Sequence, residues 1–132
     1  PSNLMLMNST FTKILRIVLG LGLIFFGVSK LIDFNIMPTH IYTGEAAIFI
    51  DSLSETGYIL KVIGIFEILI GLLLLFNKWV SFALILLAPI TVNILLFHLF
   101  LDTPGLLIAL IIVILNAILI YKHWKVYRPL FH

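Results

Sequence analysis

Four apolar runs separated by polar breaks dominate the chain: residues 14–32, 58–76, 79–101 and 105–121. Each approaches the roughly 17 to 25 residues that a helix needs to cross a hydrocarbon core, so the pattern predicts four membrane-spanning helices. The breaks differ in kind. Asn77 and Lys78, between the second and third runs, are too few for anything but an antiparallel hairpin. Thr103, Pro104 and Gly105 open the fourth helix, with proline where a first turn accepts it. The one long polar connection, residues 33–56, is broken by Pro38 and Gly44 and holds a short amphipathic stretch, residues 45–53 (EAAIFIDSL), expected to lie in the membrane interface. Pro89 removes a backbone hydrogen bond inside the third run and predicts a bend there. The expected fold is all-α, a single transmembrane domain: an antiparallel four-helix bundle with an interfacial amphipathic segment between helices one and two.

Charge gives this arrangement a direction. Lys13, Arg16, Lys78, Lys122, Lys125 and Arg128 fall at one set of helix ends and only Lys30 and Lys61 at the other. Basic residues favour the cytoplasmic side, which predicts both termini in the cytoplasm and the long first loop outside. Asp33, Glu45, Asp51, Glu55 and Asp102 share that outer side. Residues 1–6 precede Met7 and are expected to be a remnant of expression. The first run, LRIVLGLGLIFFGVSKL, is too long for a signal peptide and lacks a small-residue cleavage site after it, so it reads as an uncleaved helix.

Composition supports the same class. With 62% hydrophobic and 11% charged residues in 132, and a mean hydropathy of +1.24, the chain carries more apolar surface than a small soluble core can hide, and the lipid bilayer is its first partner. It has no cysteine, which excludes thiol relays, disulfides and thiolate-held iron–sulfur clusters. The net charge of +2 follows from the helix-end cations, and no nucleic-acid partner is expected.

The residue to explain is Glu67, in the middle of the second run. An ionised carboxylate at the bilayer midplane costs about 3 kcal/mol or more unless paired, hydrated or protonated. Gly64 and Gly71 lie three before and four after it, so all three share a face, and small residues on such a helix mark close helix contact. Glu67 therefore points inward, either as a neutral acid bonded to a neighbouring helix or as a proton-, ion- or ligand-handling group. Gly20 and Gly27, seven apart on helix one, echo the same spacing. At about 1.5 Å per residue, Asn93 lies ~10 Å and Asn116 ~16 Å in from the outer ends of their helices, the latter level with Glu67. His98, Lys30 and Asp102 sit near the outer mouth. Convergence of these faces would make a polar funnel from the outer surface to Glu67. Each member has a plainer alternative. Lys30 can snorkel to Asp33, and its reach to Glu67 looks marginal without a water. His98 and Asp102, four apart, suit a carboxylate-oriented imidazole or an interfacial residue bonding a carbonyl. Asn93, four after Pro89, and Asn116 can serve helix packing alone. No metal is expected and haem is disfavoured, because His40 is in a loop, His123 and His132 are in the basic tail, and no pair has ligand spacing on one helix.

Three stretches together resemble one family. LRIVLGLGLIFFGVSKL with its G-x-x-K-L ending, TGYILKVIGIFEILIGLLLL with E-x-x-x-G, and the ending FHLFLD are similar to DoxX-like proteins, small four-helix membrane proteins of bacteria. The family takes its name from the small membrane subunit of an archaeal thiosulfate:quinone oxidoreductase, and the positions carried over are Gly27 and Lys30, Gly57 and Tyr58, Glu67 and Gly71, and His98. The resemblance implies a protein of the bacterial inner membrane; the function favoured beside it is a membrane component of a quinone-linked redox system, with Glu67 accepting or passing a proton beside an apolar pocket and His98, Asn93 and Lys30 hydrogen-bonding the ligand. Nothing in the chain specifies thiosulfate. Two other classes stay open: a small proton- or solute-handling transporter, and a non-enzymatic assembly subunit of a membrane complex. A second copy or a partner membrane protein is expected in each case.

Overall fold

The computed structural model describes residues 9–32 and 42–131, and every element in them is helical. Helix α1 is Thr10–Leu31, α2 Gly44–Glu55, α3 Ile59–Leu75, α4 Val80–Phe100 and α5 Leu106–Lys122, followed by a short α6, Trp124–Tyr127. Two 3-10 turns, Thr103–Gly105 and Arg128–Phe131, lie before α5 and after α6. Among the described residues three segments are long and apolar enough to cross a membrane: α1, α4 and Thr103–Lys122. α3 is as apolar but has 17 residues, and α2 meets it at 90°.

Helix ends follow from local chemistry. Ser9 accepts a hydrogen bond from Thr12 N–H at 3.1 Å, which starts α1 four residues before the apolar run that signalled it. α3 ends in a Schellman motif: Lys78 N–H donates to Leu73 O at 2.9 Å, Asn77 N–H donates to Leu74 O at 3.3 Å, and Asn77 takes the left-handed conformation (φ 57). The last carbonyls of α3 also take donors from another helix. Arg16, on α1, is buried and donates its guanidinium to Leu74 O and, at 3.5 Å, to Leu75 O. α4 runs from Val80 to Phe100 as one helix with Pro89 inside it, and the Asn93 amide donates to the Pro89 carbonyl at 2.8 Å.

Packing is organised by pairs. α1 lies most extensively against α3 and α4 against α5, while α3–α4 and α1–α5 close the ring more loosely. Glycine explains the first pair. A Cβ at Gly27 would sit 2.6 Å from Gly64 O and one at Gly64 2.8 Å from Gly27 O; Gly20 and Gly71 are related in the same way at 2.9 and 2.7 Å. The seven-residue echo between the two helices is thus one seam, in which two backbones touch at two levels. Around its Gly20–Gly71 level, toward the α3–α4 turn, Leu19, Leu23, Ile70, Leu74, Leu84 and Leu119 form the aliphatic core.

Candidate functional site

Above that core the seam carries charge. Glu67, 1% exposed, leaves the middle of α3 toward α1, where Lys30 Nζ stands 2.7 Å from its Oε1. The lysine reaches this far because Gly64 has no side chain: a Cβ there would meet the Lys30 Cβ at 3.1 Å. Direct pairing replaces the marginal, water-assisted reach expected from the sequence. Depth along an axis gives height only, whereas the glycine contact brings the two axes close enough for the side chains to meet. Asp33, the alternative partner, lies outside the described residues. Lys30 also approaches its own helix at Phe26 O, 3.5 Å away, and keeps 23% of its side chain accessible.

The pair forms part of the wall of a cavity of about 650 Å³ lined by residues from α1 to α5. Its polar lining is Lys30, Glu67, Asn93, His98 and Tyr42; the rest is aliphatic and aromatic. The amphipathic α2, lying across the end of α3, contributes Phe49, Ile50 and Leu53. Such a space, mainly apolar with a few convergent polar groups, is the common form of a small-molecule site.

His98 is the second feature. Its Nδ1 lies 2.8 Å from Asp102 Oδ2, the four-residue pairing expected from the sequence, with Asp102 O at 3.3 Å. Gly105 makes room for it: a Cβ there would come within 2.6 Å of both His98 Nδ1 and Asp102 Oδ2. With Nδ1–H donating to the carboxylate, neutral His98 presents Nε2 as an acceptor. Asp102 itself is not in the cavity lining; it stands behind the imidazole as its orienting group.

Asn116 is the clearest departure from the expected funnel. It is level with Glu67 in sequence depth but buried between α5 and α4, where its amide donates to Leu84 O at 3.2 Å and its Oδ1 accepts from Thr91 Oγ1 at 3.1 Å. It takes no part in lining the cavity and acts as an interhelical clamp. Asn93 does line the cavity, with one amide hydrogen committed to Pro89 O.

Tyr42 was missed by sequence reading, since a lone aromatic before an amphipathic stretch has no period to mark it. It packs edge-to-face on Phe97, with ring centroids 5.5 Å apart, and lies near His98. Burial pushes its phenol above the usual tyrosine value, and the carboxylates of Asp102 and Glu67 push in the same direction. At the opposite end of the helices, His123, placed in the basic tail by the sequence, is buried, and its Nδ1–H donates to Leu119 O at 2.8 Å. Burial holds its imidazole below the ordinary histidine range; the Leu119 bond opposes this in part, and nearby Arg16 adds to it. Among the described residues no group of three or more His, Asp or Glu side chains comes together to hold a metal ion.

Comparison with protein-family models, with curated proteins and with solved structures gives no match. The function is therefore argued from the chemistry of the site.

Proposed function

We propose that the chain is a DoxX-like four-helix transmembrane bundle of the bacterial inner membrane, with both termini cytoplasmic, whose cavity binds a quinone headgroup and exchanges protons with it. The observation that carries this reading is the Lys30–Glu67 ion pair, at 2.7 Å, in the wall of a cavity that is otherwise mainly apolar. A pair made only to hold helices together has no need of a 650 Å³ space beside it. As the fourth span, α3 at 17 residues extends about 26 Å, close to the hydrocarbon thickness. The perpendicular α2 suits the interface, and the six basic residues at the opposite helix ends support the orientation.

The residues fit such a headgroup. Lys30 offers ammonium hydrogens to a carbonyl oxygen, and Asn93 has a second amide hydrogen to give. His98 Nε2 can take a proton from a bound hydroxyl, with Asp102 holding the ring and balancing the imidazolium. Glu67, held by Lys30, can pass a proton within the cavity, and the aromatic and aliphatic walls exclude water around it. A bound quinone would supply two-electron, two-proton redox chemistry, and its electrons would go to or come from a partner membrane protein, since this chain has no redox side chain suited to them.

Gently extracted protein should carry quinone detectable by mass spectrometry, and a short-chain quinone added to stripped protein should raise its melting temperature. Lys30→Met and His98→Gln should each remove that rise while leaving the helical content unchanged. Absence of co-purified quinone together with no thermal shift would refute the reading.

A further inference from the structure

A second concavity lies at the other end of the α3–α4 seam and shares no residue with the first. It is a groove of about 370 Å³ running from Phe66 and Leu86 to the α3–α4 turn. Every lining side chain but one is apolar, and the exception is Lys78, at the turn. Phe66, Leu69, Phe76, Trp79 and Phe82 all expose at least two-fifths of their surface along it, so it is open to whatever surrounds the helices. We infer that this groove holds an acyl chain of an anionic phospholipid whose phosphate pairs with Lys78.

Charge selects the occupant. Lys78 makes no ion pair among the described residues. None of the six carboxylates in the sequence belongs to its end of the helices: five follow the opposite ends and Glu67 is mid-helix and paired to Lys30. Lys13, Arg16, Lys122, Lys125 and Arg128 share the end with it, so neutralising charge must come from outside the chain. Basic groups at the cytoplasmic face of a bilayer meet anionic headgroups. The groove itself offers no hydrogen-bonding side chain along the apolar face, which suits hydrocarbon, while Trp79 at its mouth belongs to the type enriched at headgroup level. Trp79 sits at φ 49, a left-handed conformation unusual for so large a side chain, and its ring meets Phe82 edge-to-face with centroids 6.3 Å apart. The turn thus sets a cation and an indole side by side at the end of an apolar channel. A second copy of this chain would bring the same cations to the same end, and the repulsion favours lipid over self-association through this face.

The inference rests on the proposed membrane orientation but not on quinone binding. Native mass spectrometry of detergent-extracted protein, mixed with equal amounts of phosphatidylglycerol and phosphatidylcholine, tests it. One phosphatidylglycerol should be retained in preference to phosphatidylcholine. Lys78→Gln should reduce that preference about fivefold, and Leu69→Trp, at an exposed position that fills the groove, should reduce retention of both lipids. Equal retention of the two lipids by wild-type protein, an unchanged preference in Lys78→Gln, or a dimer abolished by Leu69→Trp in place of bound lipid would each overturn it. Failure of the protein to reconstitute into vesicles would instead count against the membrane reading, and loss of the quinone shift alone would leave this site untouched.

Discussion

The α1–α3 seam allows a test with an internal control, because two glycines five residues apart on one helix stand in opposite surroundings. At Gly27 an added methyl would lie 2.6 Å from Gly64 O, 2.7 Å from Ile68 Cγ1 and 3.1 Å from Ile68 N. Two of the three obstacles are backbone atoms of α3, which cannot rotate away. The helices must part by about 0.8 Å to restore ordinary contact at about 3.4 Å, and overpacking of this kind costs about 1–3 kcal/mol. At Gly22 nothing lies within 4 Å of the added methyl. Alanine there removes only the conformational freedom of glycine within a helix and should stabilise by about 0.5–1 kcal/mol. The same substitution on the same helix is therefore expected to change sign, with a difference of about 1.5–4 kcal/mol. Thermal or denaturant unfolding of the two variants in one detergent, followed by far-UV circular dichroism, measures it. Equal effects at Gly22 and Gly27, or a stabilising Gly27→Ala, would refute the claim that backbone contact holds α1 against α3.

Removing one member of the buried ion pair should cost more than removing both. Lys30→Met leaves Glu67 without its cation and should destabilise by about 3 kcal/mol or more, while Lys30→Met with Glu67→Gln should return close to wild type, a coupling that a double-mutant cycle in detergent would show. His123 should make stability fall in acid: its folded value lies below the ordinary 6.5, so as the pH drops below about 6.5 the unfolded chain takes up a proton first and is favoured until the folded value is passed. His123→Asn should flatten melting temperature against pH in that window, and an unchanged slope would count against the buried neutral imidazole. Tyr127 donates to Ser81 O at 2.6 Å and its phenol is pushed up to about 12, chiefly by burial. Tyr127→Phe should cost about 1 kcal/mol at neutral pH and should lose the fall in stability that wild type shows between about pH 10 and 12, where the unfolded chain alone ionises.

The membrane-like character, the order of the helices and the tight α3–α4 turn are legible in the sequence, because apolar run length and turn residues act locally. So are Glu67 as the residue needing a partner, its inward face shared with Gly64 and Gly71, and the His98–Asp102 pair, since spacings of three and four put side chains on one helical face whatever surrounds it. Rotation of one helix against another has no such local rule. Asn116 shares Glu67's depth yet turns to Leu84 and Thr91, and Arg16, a cytoplasmic charge by counting, folds inward onto the end of α3. His123 and Tyr42 carried no periodic mark, and only packing shows one buried beside Arg16's helix end and the other in the cavity wall. A carboxylate in an apolar helix, flanked by glycines, follows from the order of residues alone. Tertiary structure alone decided that those glycines meet glycines of α1, because backbone approach depends on both helices at once, and it is this approach that brings Lys30 to 2.7 Å from Glu67.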